Sequence, residues 1–419
     1  MGSSEAKEVK DIIKEALIVS LDIGKGSHHA YFRAPDGTDI EPFAFTNGKR
    51  SFEGFWSKLS RFKEQHHLKE VVIGFESTGP YAEPLFHFLS TKAVKLVQVN
   101  PMHTKRVKEL TGNSPHKSDK KDPRVIADVI CLGHALTVVI PQGAAAHLRR
   151  LTQARERAME RRTALTNQLQ HLVFVIFPEF LSVMKDVSTK SASHLMRHYP
   201  SPHSIVSLGV EGLTEVLRKV SRGKLGQERA EQLCAAAKCS VGITEGKESI
   251  LLEIAHCVNG IERECRFIKG LEEQMCHHLE QIPYSHSILS IKGIGNVTAA
   301  GLIGEVGDFR RFTTIGEIMK LAGLNLYEIS SGKHKGQRRI SKRGRSLMRK
   351  LLFFAAINAV KSKGIMHEPY QQMLDRGMPK IKALIAIARK LLRVIFAVVR
   401  DNTVYVEDHN HMHTLKSAA

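Results

Sequence analysis

The chain opens with apolar runs that end on acids. Residues 16–22, ALIVSLD, end on Asp22, and Gly24 and Gly26 follow. Next come HHAYFRA and, past the turn PDG, IEPFAF. This pattern predicts three successive short strands, most simply an antiparallel meander. SFEGFWSKLSRF has helical spacing, and VVIGFE is a second apolar strand closed by an acid, Glu76. A helix through EPLFHFL, a strand VKLVQVN, a basic connection and a helix beginning at Pro123 complete the series. Strands followed by alternating strand and helix predict an α/β domain over residues 12–138.

From His147 the spacing becomes that of long helices. Leu148, Leu151, Arg155, Ala158, Arg162, Leu165, Leu169, Leu172 and Ile176 lie three or four residues apart, a heptad seam that carries two arginines. A second seam runs through Leu251, Ile254, Val258, Ile261, Cys265 and Ile268, breaks at Glu272, and resumes at Met275, Leu279 and Ile282. Two such helices can pair as antiparallel arms, and the same spacing serves two helices of an ordinary bundle. Residues 180–247 read as mostly helical, without recognisable chemistry. The sequence therefore divides into 12–138, a helical coiled-coil or linker region 139–284 with 180–247 as an insertion, a small basic and mainly helical region 285–400, and a flexible tail 401–419. An apolar, basic helix is expected near Lys380–Arg400, and the tail histidines are expected to be solvated.

Charge narrows the partners. The 419 residues hold 62 Lys plus Arg against 42 Asp plus Glu, a formal net charge of +20. Such a balance favours a polyanion, with nucleic acid ahead of an anionic membrane surface. No apolar stretch reaches spanning length, and the start, MGSSEAKEVK, lacks a secretory signal, so a soluble cytoplasmic protein without a membrane partner is expected. The six cysteines form no CxxC pair and read as reduced thiols. Zinc at Cys276-His277-His278 is disfavoured, because adjacent helical residues point apart and no second cluster has ligand spacing.

The stretch HKSDKKDPR, residues 116–124, keeps Asp119 and Asp122 among Lys117, Lys120, Lys121 and Arg124. Asp22 and Glu76 close strands, where side chains reach ligands from a rigid base. Four carboxylates brought together repel one another unless a divalent cation sits among them, and Mg²⁺ or Mn²⁺ suits an all-oxygen site. The neighbouring cations would then attract a phosphate backbone. The structural alternative is that Asp122 before Pro123 caps a helix and Asp119 is a solvated loop acid.

Downstream, SIKGIGNVTAAGLIGEVGDF carries a Gly-Ile-Gly turn before a small-residue helix. Lys292, Gly293 and Gly295 could there hold a phosphate, as helix-hairpin-helix turns do, or the glycines could serve the turn alone. From Lys333 to Lys350 there are nine Lys or Arg and no acid, after Ser330-Ser331-Gly332. Ser331 in so positive a field could act as a nucleophile, with Lys333, Lys335, Arg338, Arg339, Lys342, Arg343 and Arg345 holding a nucleic-acid backbone. It could also be an ordinary turn serine.

Together SLDIGK, GFESTGPY, KSDKKD, the paired long helices, IKGIGNVTAAGLIGEVGD and SGKHKGQRRISKRGRSLMRKLL resemble the IS one-ten family of insertion-sequence transposases, the bridge-RNA-guided serine recombinases. The resemblance spans about 16–176 and 250–356. It implies an N-terminal RuvC-like, RNase-H-type domain whose DEDD acids are Asp22, Glu76, Asp119 and Asp122, with Mg²⁺ or Mn²⁺. It also implies a C-terminal transposase domain whose nucleophile is Ser331, with Ser330 beside it. The implied partners are donor and target DNA and a structured noncoding guide RNA, bound by a homodimer that assembles to a tetramer, with Arg155 and Arg162 facing RNA. The implied reaction is RNA-guided strand cleavage and exchange through a covalent phosphoserine, in a prokaryotic, nucleoid-associated setting. A RuvC-like nuclease or junction resolvase using water is the competing activity, and a nonenzymatic DNA-binding protein is the competing class.

Overall fold

The computed structural model describes residues 15–76, 79–111, 121–133, 135–138, 140–328 and 338–407. Two compact units divide the chain, residues 1–140 with 310–349, and residues 141–309 with 350–419.

The first unit is built on a six-stranded sheet of order β3-β2-β1-β4-β5-β6. β1 (Leu17–Ile23), β2 (Ser27–Arg33) and β3 (Phe43–Thr46) form the antiparallel meander that the apolar runs predict. Gly24 makes the first turn possible: a Cβ there would lie 2.4 Å from the Ser27 carbonyl oxygen. α1 (Lys49–Gln65) leads to β4 (Val71–Glu76), parallel to β1, and α2 (Glu83–Ser90) to β5 (Lys95–Val99), parallel to β4. α3 (Pro101–Thr111) and α4 (Lys121–Cys131) follow, then a short antiparallel β6 (Ala135–Thr137) on β5.

Both faces of the sheet are covered, which is why its central strands read as continuous apolar runs. On one face Leu17, Val19 and Leu21 pack with Phe52, Phe55 and Leu59 of α1 and Leu85 and Leu89 of α2. On the other, Ile18 and Val72 pack with Ile126, Ala127, Val129 and Ile130 of α4. The period of two along β1 and β4 therefore sends even-numbered side chains toward α4. The basic connection expected after β5 is in fact helix α3. Its weak apolar pattern hid it, since among its apolar residues Val107 packs against the core while Met102 and Leu110 are exposed. The Asn100 carboxamide accepts the Met102 N–H at 2.9 Å and starts the helix.

In the second unit α5 (Gly143–Ile176) runs to four shorter helices, α6 (Phe180–Val183), α7 (Lys190–His198), α8 (Pro202–Ser221) and α9 (Gln227–Lys238). α10 (Lys247–Glu280) then returns antiparallel to α5: His147 stacks on His278 at 4.4 Å, and Arg155 meets Glu272 at 2.7 Å. Further along, the Arg161 guanidinium donates to both oxygens of the buried Glu264. Glu272, which interrupts the second seam, is thus the counter-charge of Arg155, an arginine of the first. The helices of 180–247 share one core with the adjoining ends of the long pair, where Phe177, Phe180 and Leu213 join Val173 and Ile254.

α11 (Ser285–Leu289) and α12 (Asn296–Val306) flank the Gly-Ile-Gly turn. The small residues of α12 let its backbone meet α5, since a Cβ on Gly304 would lie 2.6 Å from the Arg149 nitrogen. In the first unit α13 (Ile315–Ala322) precedes a two-stranded ladder of β7 (Leu326–Tyr327) and β8 (Arg339–Ile340). α14 (Ser346–Ala359), α15 (His367–Asp375) and α16 (Lys380–Arg400) complete the chain. Among the described residues no helix is long and apolar enough to cross a membrane.

Candidate active site

Asp22 and Glu76 stand at the C-terminal ends of adjacent parallel strands, one step past the Leu21–Phe75 pair. Both occupy even-numbered positions on the α4 face. Two contacts bring that helix onto the sheet beside them. Ser20, fully buried and on the same side as Asp22, donates its hydroxyl to the Pro123 carbonyl at 2.5 Å. Gly74, two residues before Glu76, leaves the space that Ile130 fills. Asp122 precedes Pro123 in the first turn of α4 and so arrives above the strand ends.

α3 supplies two further groups, four residues apart and so on one helix face. The buried Thr104 hydroxyl shares its one proton between the Pro101 carbonyl at 2.9 Å and Glu76 Oε2 at 3.2 Å, and the Lys108 ammonium forms an ion pair with the Asp122 carboxylate. Burial pushes the Glu76 carboxyl above its usual range; Thr104 and Lys108 act against that rise, while the charges of Asp22 and Asp122 add to it. The three acids are thus electrostatic neighbours. Among the described residues no three acid, histidine or cysteine side chains converge closely enough to hold an ion by themselves. Asp119 lies outside the described residues, as do Lys117 and Lys120, and the Lys121 side chain is not described. All-oxygen donors that crowd negative charge, as Asp22 and Asp122 do at Glu76, suit a hard divalent cation.

Arg124 points its charge elsewhere. Its guanidinium reaches Glu41 at 2.8 Å and lies 5.6 Å from the centre of the Tyr31 ring.

The second cluster of expected site residues follows β7. Ser330, Ser331, Lys333 and Lys335 lie outside the described residues. Arg338 pairs with Glu328 at 2.9 Å, and Arg339 sits exposed on β8. The chain from Lys342 to Arg345 is pinned to the end of α13: the Lys342 N–H donates to the Gly323 carbonyl, and the Arg345 N–H to that of Leu321. The Arg349 guanidinium donates to the carbonyls of Ala322 and Gly344, each at 3.0 Å. Lys342 and Arg343 keep exposed side chains on this fixed backbone.

At the glycine turn, Gly293 has φ +99°, a conformation that favours glycine, and a Cβ there would sit tightly, 3.3 Å from the Ala359 nitrogen. Gly295 is the N-cap of α12. Lys292 pairs with Glu407 at 2.7 Å, and the Tyr405 N–H donates to the Ser290 hydroxyl, so the segment after α16 covers this turn.

The stretches that carry the acids, the glycine turn and the basic segment match known families. Residues 19–178 match a DEDD family named for IS110 and described as "Transposase", and residues 285–371 match the "Transposase IS116/IS110/IS902 family". The chain belongs to the IS110 family of transposases. Its similarity to two of its relatives is low but covers most of both chains. The "Insertion element IS110 uncharacterized 43.6 kDa protein" of Streptomyces coelicolor is 22% identical over 93% of this chain and 95% of its own. The "Insertion element IS116 uncharacterized 44.8 kDa protein" of Streptomyces clavuligerus is 24% identical over 93% and 96%. A "Pilin gene-inverting protein" of Moraxella lacunata is 31% identical over 31% of this chain and 41% of its own. This transposase is accordingly a DNA-processing enzyme of an insertion sequence.

Thr104 and Lys108, which contact Glu76 and Asp122, are the members of this candidate site that sequence reading missed. A usable signal was there, since a polar i, i+4 pair right after an apolar strand places two functional groups over a strand end.

Proposed function

We propose that the transposase cuts and exchanges donor and target DNA strands under the guidance of a structured noncoding RNA, through a covalent phosphoserine at Ser331. The observation that carries this reading is the gathering of Asp22, Glu76 and Asp122 around the C-terminal ends of β1 and β4, on the face to which Ser20 ties α4. Asp119, three residues before Asp122, completes the DEDD set in the proposal. The three-stranded meander followed by two parallel crossovers supports a RuvC-like, RNase-H-type domain over residues 12–138. In the same reading 139–284 is the arm, 285–400 the serine-bearing domain and 401–419 a tail.

Bound Mg²⁺ or Mn²⁺ would neutralise charge on the scissile phosphate. Asp22, Glu76, Asp119 and Asp122 would hold it, with Thr104 orienting the Glu76 carboxylate and Lys108 balancing Asp122 until the site is filled. Ser331 Oγ gives up its proton and bonds to phosphorus as the bond to the 3′ oxygen breaks, and that oxygen leaves as a hydroxyl. A 3′ hydroxyl from the exchanged strand then attacks the same phosphorus, and the serine departs and regains a proton. Bond energy is conserved, so rejoining needs no ATP. Arg338, Arg339, Lys342, Arg343 and Arg345 hold the backbone, as do Lys117, Lys120 and Lys121 near the acids, whereas Arg124 is engaged by Glu41. Acids of one protomer work with the serine of another, in dimers that pair to a tetramer.

The test is a denaturing gel of protein, element RNA and labelled donor and target DNA in Mg²⁺. Wild type should give an SDS-resistant, protease-sensitive adduct that Ser331→Ala and Asp119→Asn both abolish. Cleavage without an adduct, retained by Ser331→Ala, would instead identify a nuclease or junction resolvase that uses water.

A further inference from the structure

Residues of the segment 180–247 line an open cavity of about 810 Å³ whose wall contains none of Asp22, Glu76 and Asp122. Such a volume is ample for one nucleotide, since small-molecule sites run to about 300–1,000 Å³. Its wall carries Lys185, Lys190, Arg222, Lys224 and Arg229, five cations, against one acid, Asp186. Asp186 is turned inward on its own chain, accepting from the N–H and the hydroxyl of Ser188 at 2.8 and 2.6 Å. Val183, Met184, Val220 and Leu225 give the same cavity an aliphatic floor.

The wall is held in shape from three sides. The Arg229 guanidinium donates to the Val183 carbonyl at 2.8 Å, tying α9 to the end of α6. The Thr189 hydroxyl accepts the Ala192 N–H at the start of α7. At the end of α8 the Ser221 hydroxyl accepts the Leu225 N–H at 2.8 Å, and Arg222 takes a left-handed conformation, φ 56°. Lys185, Lys190, Arg222 and Lys224 remain exposed around the rim.

We infer that this cavity binds single-stranded nucleic acid, with phosphates on the rim cations and an unstacked base on the aliphatic floor. Cations on separate segments suit successive phosphates of a strand better than the single phosphate of a small ligand. A duplex keeps its bases stacked and has none to offer the floor, whereas loops and single strands do. Among the described residues no aromatic side chain lines the cavity. Contact with the base is therefore by apolar packing, tolerant of sequence. The site would make the segment between the long helices a nucleic-acid clamp. It draws on the nucleic-acid partner of the function proposed above but not on the acids or the serine.

Lysine acetylation of the full-length protein in EDTA, read by mass spectrometry, tests this directly. Excess oligo(U) RNA or oligo(dT) DNA should protect Lys185, Lys190 and Lys224 roughly threefold or more over Lys238 and Lys247, which lie in the same unit but outside the cavity. Protection by RNA alone, DNA alone or both identifies the strand. Ser331→Ala and Asp122→Asn should give the same footprint, which separates this site from the catalytic reading. The double variant Arg222→Glu/Lys224→Glu should reduce the slope of log affinity against log salt by about 1.4, at about 0.7 for each single-strand phosphate contact. Cavity lysines that react at the reference rate with both strands, or that duplex alone protects, would overturn the assignment whether or not the double variant folds.

Discussion

Alanine at Gly74 would put a methyl group 2.2 Å from Ile130 Cδ1 and 3.0 Å from Val97 Cγ2, both side chains fully buried. Both neighbours belong to the core between α4 and the sheet, so either must shift against other buried side chains. Overpacking of this kind costs about 1–3 kcal/mol. Removing a glycine from a strand returns about 0.5–1 kcal/mol, so Gly74→Ala should destabilise the sheet by roughly 1–2 kcal/mol net. Ile130→Val alone deletes the offending Cδ1 and should cost about 0.5–1.5 kcal/mol. The two changes should not add: in the double variant the methyl occupies the volume that Cδ1 vacates, and stability should return to about that of Ile130→Val. Urea unfolding followed by Trp56 fluorescence reads this locally, since the chain's one tryptophan lies in α1 and packs on the sheet core. If the double variant equals the sum of the singles within about 0.5 kcal/mol, Gly74 and Ile130 do not set the approach of α4. The same variants bear on catalysis. Gly74→Ala should weaken strand cleavage more than its stability loss explains, because it lifts Asp122 away from Asp22 and Glu76.

Other outcomes follow from contacts described above. Ser20→Ala removes the side-chain bond to the Pro123 carbonyl, which keeps its place in the α4 ladder, and should cost about 0.5–1.5 kcal/mol by the same Trp56 assay. Arg155→Glu sets two acids against each other between α5 and α10 and should cost about 1–2 kcal/mol, with recovery when Glu272→Arg is added; a thermal melt that the second change fails to raise would remove the pairing argument. The Arg161 guanidinium holds the buried Glu264 carboxyl below its usual range. Its stabilisation is therefore complete above the unfolded carboxylate value, about 4.3, and is lost as pH falls through the lower folded value. Glu264→Gln should accordingly flatten the acid limb of the melting temperature against pH and leave the neutral plateau less stable than wild type.

The strands were legible because each was an apolar run of the right length, and the meander because turn residues separated the first three. Asp22 and Glu76 could be singled out from position alone, as acids closing such runs. What one-dimensional spacing concealed was contact across the sheet. Nothing in the sequence near Ser20 announces a bond to Pro123, 103 residues away, yet that bond helps seat Asp122. α3 was missed because amphipathic pattern is the main helix signal, and this helix spends its inward positions on Thr104 and the site. The seam break at Glu272 read as a flaw until Arg155 was seen opposite it. Periodicity scores each helix alone, and the compensation lies on the other one.

The helices between α5 and α10 leave and rejoin the long pair at a single crossing. The Ile243 N–H donates to the Val175 carbonyl at 3.1 Å, and a Cβ on Gly242 would lie 1.9 Å from the Ile176 oxygen. By chain geometry the whole excursion could be excised and its stumps joined by a short link. Its interior forbids a clean cut, because Val173, Ile176, Ile254 and Cys257 belong to the same core as Phe180, Leu213 and Leu233. Excision would leave those four facing water at the end of an otherwise intact hairpin, so a shortened variant would need polar replacements there before it could stay monodisperse.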